Sequence, residues 1–97
     1  MLQAVTVHSV AGTPEQAFGE VIRALRHERG LSQEELSFAC GRHRTYISLL
    51  ERGHNSPSLR TVWMLADALA LRASELLRRV EEQLAPRRRG AVKTRRI

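Results

Sequence analysis

An all-α bundle of five helices is the fold this sequence predicts, and three observations predict it. Apolar residues recur at i, i+3 and i+4 through five separate segments, the spacing of one helix face. Capping residues or proline stand at the start of several of these segments, and glycine or proline stands just past their ends. A chain of 97 residues suits one small domain with a single core.

Residues 1–12 are expected to form a flexible arm, because termini of this kind are usually loose. The alternation of Val5 and Val7 is the competing sign, of a short strand. Thr13-Pro14-Glu15-Gln16 announces the first helix: a capping Thr, a proline in the first turn and a Gln reaching back. Phe18, Val21, Ile22 and Leu25 form its buried stripe, and Gly30 ends it. Ser32 with Glu35 three residues on is a second capping box, opening a short helix with Leu36, Ala39 and Cys40 on one face. Gly41 follows, where the chain must leave the helix with positive φ. A third helix begins near Arg44 and turns Ile47 and Leu50 inward before Gly53 stops it.

Residues 53–58, GHNSPS, are a loop by composition. Leu59, Val62, Leu65, Ala66 and Leu69 then mark a fourth helix. Leu76, Leu77, Val80 and Leu84 mark a fifth, starting near Ala73 or Ser74 and stopped by Pro86. The folded domain therefore spans 13–85, and residues 86–97, almost devoid of apolar content, are expected to be a disordered basic tail.

Charge narrows the partners. Residues 15–84 hold ten arginines and ten acidic residues, so the net charge of +6 comes entirely from Arg87, Arg88, Arg89, Lys93, Arg95 and Arg96. Within the domain, residues 41–60 carry Arg42, Arg44, Arg52 and Arg60 against Glu51 alone. A local patch and a basic tail both point to nucleic acid. The arm has no Lys or Arg and would make a poor minor-groove finger. No run of eighteen apolar residues offers a membrane span, and a single cysteine permits no intrachain disulfide, as suits a reducing cytoplasm.

Residues 32–53, SQEELSFACGRHRTYISLLERG, thus read as two short helices joined by a tight glycine turn. A helix-turn-helix presents its second helix to the major groove of DNA. From about Phe18 to Leu77 the chain resembles the Xre/Cro family of bacterial and phage repressors, through SQEEL, the glycine turn, RTYIS, LLERG, NSPSL and LADAL. RTYIS followed by ERG is also similar to the small controller proteins of restriction–modification systems. The resemblance implies a compact lambda-repressor-like DNA-binding domain, with the helix-turn-helix at helices 2 and 3. The expected function is that of a sequence-specific transcriptional regulator, bacterial or phage-encoded, cytoplasmic and associated with the nucleoid when bound to double-stranded DNA.

The same resemblance distributes roles. Arg44, Thr45, Ser48 and Leu49 are expected to face base edges. A guanidinium matches O6 and N7 of guanine, a pairing worth ~1–3 kcal/mol of discrimination, while Thr45 and Leu49 suit thymine methyl groups. A phosphate contact is the competing role for Arg44, and a place in the core for Leu49. Gln33 is expected to meet a phosphate at a helix start, where backbone N–H groups attract anions; its alternative is a solvated side chain. Arg42, His43, Tyr46, Arg52, His54, Asn55, Ser58 and Arg60 flank the groove as candidates for phosphate or minor-groove contact, which holds register more than it reads sequence. Two departures stand out: His43 replaces the family's usual Ser or Thr cap, and Leu49 replaces a polar base reader. Arg26 and Glu51 are expected to form a structural ion pair between the first helix and the recognition helix.

One recognition helix covers half a site, so a homodimer on an inverted repeat is expected. Trp63, Met64, Leu76, Leu77, Val80 and Leu84 are the expected interface, with sealing of the monomer core as the competing use. A protein-interaction or antitoxin-like adaptor is the alternative function, and the arginines of 42–60 argue against it. Cys40, His43 and His54 give C-x2-H-x10-H without a fourth ligand, so no metal is expected, nor any cofactor or small-molecule ligand. No nucleophile–base set suggests an enzyme.

Overall fold

The computed structural model describes residues 11–84. Five helices follow in order: α1 (Pro14–Glu28), α2 (Gln33–Ala39), α3 (Arg44–Glu51), α4 (Leu59–Ala68) and α5 (Ala73–Gln83). Among the described residues there is no β-strand, only one isolated bridge, from Ala11 to Leu84. Residues 1–10 of the expected arm and 85–97, with the basic tail, lie outside the described residues.

Local rules account for most boundaries. Thr13 and Gln16 form the capping box of α1, and Ser32 and Glu35 that of α2, each hydroxyl taking an otherwise orphaned N–H. Ser58 caps α4 in the same way, accepting from the Thr61 N–H. Gly41 turns the chain with φ 67°, a conformation that an L side chain rarely adopts. Its neighbour Arg42 closes the turn, donating its N–H to the Ser37 carbonyl at 2.9 Å. At the end of α4 a non-glycine residue does this work: Ala70 has φ 61°, and Leu71 N–H reaches back to the Ala66 carbonyl at 2.8 Å.

The core gathers Phe18, Val21, Ile22 and Leu25 of α1, Leu36 and Cys40, Ile47 and Leu50 of α3, Val62, Leu65 and Leu69, and Leu76 and Val80 of α5. α1 runs through the middle, packing on α3 and α5, while α2 lies across α3. One close approach controls the geometry. A Cβ on Gly19 would stand 2.4 Å from the Leu50 carbonyl oxygen, so α3 rests directly on the backbone of α1. Arg29 adds a tie, its Nε donating to the Leu69 carbonyl at 2.6 Å.

The structure corrects four expectations. Ala39 is exposed, and Ser37 takes the buried place beside Leu36 and Cys40. Ser37 tolerates burial because its hydroxyl donates to the Glu34 carbonyl at 2.7 Å. Leu59, in the first turn of α4, is 69% exposed, whereas Val62, Leu65, Ala66 and Leu69 of the same stripe are buried. Leu76 and Val80 lie in the protomer's own core, at 0% and 8% exposure, so they have little surface to offer a second copy. Ala11, placed in the arm, is buried and donates its N–H to the Gln83 carbonyl at 3.1 Å.

Candidate nucleic-acid interface

α3 owes its orientation to Ile47 and Leu50, both fully buried, with Glu51 held against α1. That anchoring leaves the opposite face outward: Arg44 and Thr45 are exposed, and Ser48 and Leu49 half-buried. Among the described residues Leu49 is not one of the partly buried apolar groups packed on the core, which are Leu31, Tyr46, Ala68, Leu71, Ala73 and Leu84. It lies on the outer half of the helix.

The start of α3 differs from the other helix starts that a hydroxyl closes. His43 occupies the cap position with extended backbone (φ −81°, ψ 148°) and makes no side-chain cap hydrogen bond. Backbone donors at this end therefore lack the hydroxyl partner that Ser32 and Ser58 provide to α2 and α4. A helix start with unclaimed N–H groups carries positive potential and suits an anion.

Around it the arginines are arranged for polyanions. Arg42 lies over the Tyr46 ring at 3.8 Å from the centroid, a cation–π contact that orders both side chains. Arg52 is exposed and folds back, its Nε donating to the Ser48 carbonyl at 3.3 Å. His43, His54 and Arg60 are exposed and Asn55 half-buried. Ser58 is the residue least free to act as expected: its hydroxyl takes the Thr61 N–H and donates to Thr61 Oγ1 at 3.0 Å.

The acid of this segment is neutralised. Arg26 Nε donates to Glu51 Oε2 at 2.6 Å and Nη2 to Oε1 at 3.0 Å, with side-chain exposures of 10% and 3%. Arg26 Nη1 also donates to the Leu31 carbonyl at 2.9 Å. The surface from 41 to 60 thus presents four exposed guanidiniums while its carboxylate is buried and paired, although the folded unit as a whole is formally neutral.

Gln33 stands between these two groups. Its Nε2 donates to Glu51 Oε1 at 3.0 Å and its Oε1 accepts from Arg44 Nη1 at 3.3 Å, links that sequence reasoning missed. Phe38 was missed as well: it is 76% exposed on α2, beside a shallow groove that Glu34, Arg42, His43 and Thr45 also line. Its place off the Leu36–Cys40 face was the available signal.

The remaining candidates sort by position. Trp63, 57% exposed, joins Leu77 in a groove between α4 and α5 and joins Leu59 in a second along α4. Met64 points the other way, its Cε lying 3.8 Å from where a Gly41 Cβ would stand. Leu84 is half-buried against the core. Cys40 is 1% exposed, and burial pushes its thiol above the ordinary range. Among the described residues no group of three His, Cys, Asp or Glu is placed to hold a metal, and no helix is long and apolar enough to cross a membrane.

An outward-facing helix with basic flanks, set by a glycine turn on a five-helix frame, is the architecture of a helix-turn-helix regulator of transcription that binds DNA. The chain belongs to this family: the family model described as helix-turn-helix matches residues 22–76. Within it the chain is similar to restriction–modification controllers. It is 41% identical over 61 residues to control protein C.BamHI of Bacillus amyloliquefaciens, covering 62% of this chain and 75% of that protein. It is 38% identical over 65 residues to control protein C.SmaI of Serratia marcescens, covering 67% and 77%. The crystal structure of the restriction-modification controller protein C.AhdI from Aeromonas hydrophila superimposes with a TM-score of 0.61 at 43% identity, covering 63% of this chain and 92% of that one.

Proposed function

We propose that the protein binds an inverted-repeat operator as a homodimer, each copy placing α3 in the major groove, and regulates transcription as a controller of restriction–modification genes or a related repressor. The observation that carries this reading is the pairing of Arg44 and Thr45, both exposed at a helix start that no side chain caps. Arg44 reads guanine through O6 and N7; Thr45 and Leu49 meet thymine methyl groups; Ser48 keeps the helix close to the base edges. Gln33, Arg42, His43, Tyr46, Arg52, His54, Asn55 and Arg60 hold the phosphates and set register. The six cations of residues 87–96 add a sequence-independent grip that weakens with salt. Dimerisation uses the exposed strip of Leu59, Trp63 and Leu77, whose apolar side chains have no cover in the protomer. The protein acts in the cytoplasm, where its DNA is.

Selection of sites from random duplexes at near-physiological salt tests the reading, repeated with Arg44→Ala. An inverted repeat should emerge, relaxed at one position per half-site by the substitution. Salt-sensitive binding without a motif, unchanged by Arg44→Ala, would overturn it in favour of an adaptor that binds another protein.

A further inference from the structure

His43 stands at the start of α3 where α2 and α4 have a serine, and its ring brings a property that no hydroxyl has. An imidazole can change its charge between about pH 5 and 8. The fold makes no use of this ring: it forms no cap hydrogen bond to α3 and is exposed in the turn between α2 and α3. The charged groups facing it come from three elements. Glu34 of α2, Arg42 of the turn and Arg44 of α3 line the same shallow groove as His43, and the other lining residues carry no charge. Two guanidiniums against one carboxylate give that groove a net positive charge in the free protein. Phosphates brought against it reverse the sign of the surroundings.

We propose that His43 makes DNA binding dependent on pH: the complex takes a proton onto this imidazole, so the protein grips DNA more tightly as pH falls from 8 towards 5.5. The inference rests on the reading that α3 enters the major groove, which brings the turn before it beside the phosphate backbone. It adds regulation by protons to the phosphate contact. A neutral imidazole donates from one nitrogen, whereas an imidazolium donates from both and carries the charge that a phosphate attracts. The sign follows from linkage. A state that favours the proton is itself favoured where protons are plentiful, so the added affinity is present in acid and is lost as pH rises. A serine or threonine at this position offers no such dependence.

The test compares full-chain wild type, His43→Ser and His43→Arg at pH 5.5 and 8.0 and constant ionic strength. The probes are the duplex recovered by site selection and a duplex of mixed sequence. Serine is a favoured cap, so His43→Ser should fold at least as well as wild type; His43→Arg stays charged at both pH values. His54 also lies among the expected phosphate contacts, so the quantity read is the difference between wild type and His43→Ser. Between pH 8.0 and 5.5 wild type should gain about 5-fold more affinity per half-site than His43→Ser, because a charge-assisted hydrogen bond is roughly twice as strong as a neutral one. His43→Arg should lack the same part of the rise. Calorimetry near pH 6.5, in two buffers of different ionisation enthalpy, should show wild type taking up more protons on binding than His43→Ser does. Equal pH dependence and equal proton uptake in wild type and His43→Ser would overturn the inference. If selection recovers no motif, the operator reading fails by itself, and the mixed-sequence duplex still decides whether His43 carries a proton to the phosphates.

Discussion

Placing a methyl group on Gly19 sets two effects of opposite sign against each other. In a helix interior alanine is favoured over glycine by about 1 kcal/mol, so propensity alone predicts a more stable protein. The structure predicts the reverse. The new Cβ would meet the Leu50 carbonyl oxygen at 2.4 Å, the Glu51 oxygen at 2.7 Å and the Glu51 carbonyl carbon at 2.9 Å. All three are backbone atoms near the end of α3, so no rotamer change relieves them. A relaxed C···O contact lies near 3.3 Å, and α3 must withdraw by about 1 Å. Overpacking of this kind costs about 1–3 kcal/mol, and a rigid backbone obstacle places it at the top of that range. Net of the propensity gain the loss is about 2 kcal/mol, or a fall of roughly 8–16 °C in melting midpoint for a domain of this size. Thermal denaturation of Gly19→Ala followed by circular dichroism at 222 nm reads it directly. A midpoint raised by a few degrees would refute the reasoning, since it would mean that α3 does not rest on α1 at this point.

Arg26→Ala, which leaves the Glu51 carboxylate buried without its cation, should cost about 3–5 kcal/mol in urea unfolding, whereas the paired replacement Arg26→Met with Glu51→Leu should come out near wild type. Equal losses in both would show that the pair's charge is not what matters. Trp63→Lys should shift sedimentation toward the monomer and weaken operator binding while leaving the melting midpoint nearly unchanged; a persisting dimer places the interface elsewhere. Cys40 should react with a thiol reagent far more slowly in the native protein than in urea, and equal rates would contradict its burial. Because the fold favours its neutral thiol, Cys40 contributes stability below the unfolded thiol's range near ~8.5, and that contribution is lost as pH rises through the higher folded value.

What could be read from the chain was what local chemistry decides. The Thr13–Gln16 and Ser32–Glu35 boxes, the turn at Gly41 and the apolar stripe of α1 each depend on residues within a turn or two of one another, and the structure carries all of them. Periodicity misjudged Leu59 because the stripe of a helix says which side is apolar and not how far its neighbours extend along it. It misjudged Ala39 against Ser37 because a hydroxyl satisfied by its own helix can be buried almost as readily as a methyl group. Leu76 and Val80 were offered to a partner because a sequence cannot apportion one apolar face between a protomer's core and a second copy. Gly19 reads, in sequence, as a helix-weakening residue; its use is visible only once α3 lies against it. Gln33 bonds to residues 18 and 11 positions away, a distance at which spacing rules are silent.

These missed features belong together. Gly19 lets the end of α3 come down onto α1, and seven residues further along α1 Arg26 is then close enough to grip Glu51 with two nitrogens. An isolated surface ion pair would contribute little, and a buried one does not outdo well-packed apolar side chains in stability. Its worth in this protein lies in what it does to the neighbouring face. Left exposed, the Glu51 carboxylate would sit within the arginine-bearing segment and oppose the approach of phosphates over about a Debye length, ~8 Å at physiological salt. Buried and paired, it leaves that segment's exposed charge to Arg42, Arg44, Arg52 and Arg60 and still offers Gln33 a fixed acceptor. An apolar replacement of the pair can restore the stability but has no acceptor for the amide. The doubly substituted protein should therefore fold as well as wild type and lose that fixed acceptor for the Gln33 amide.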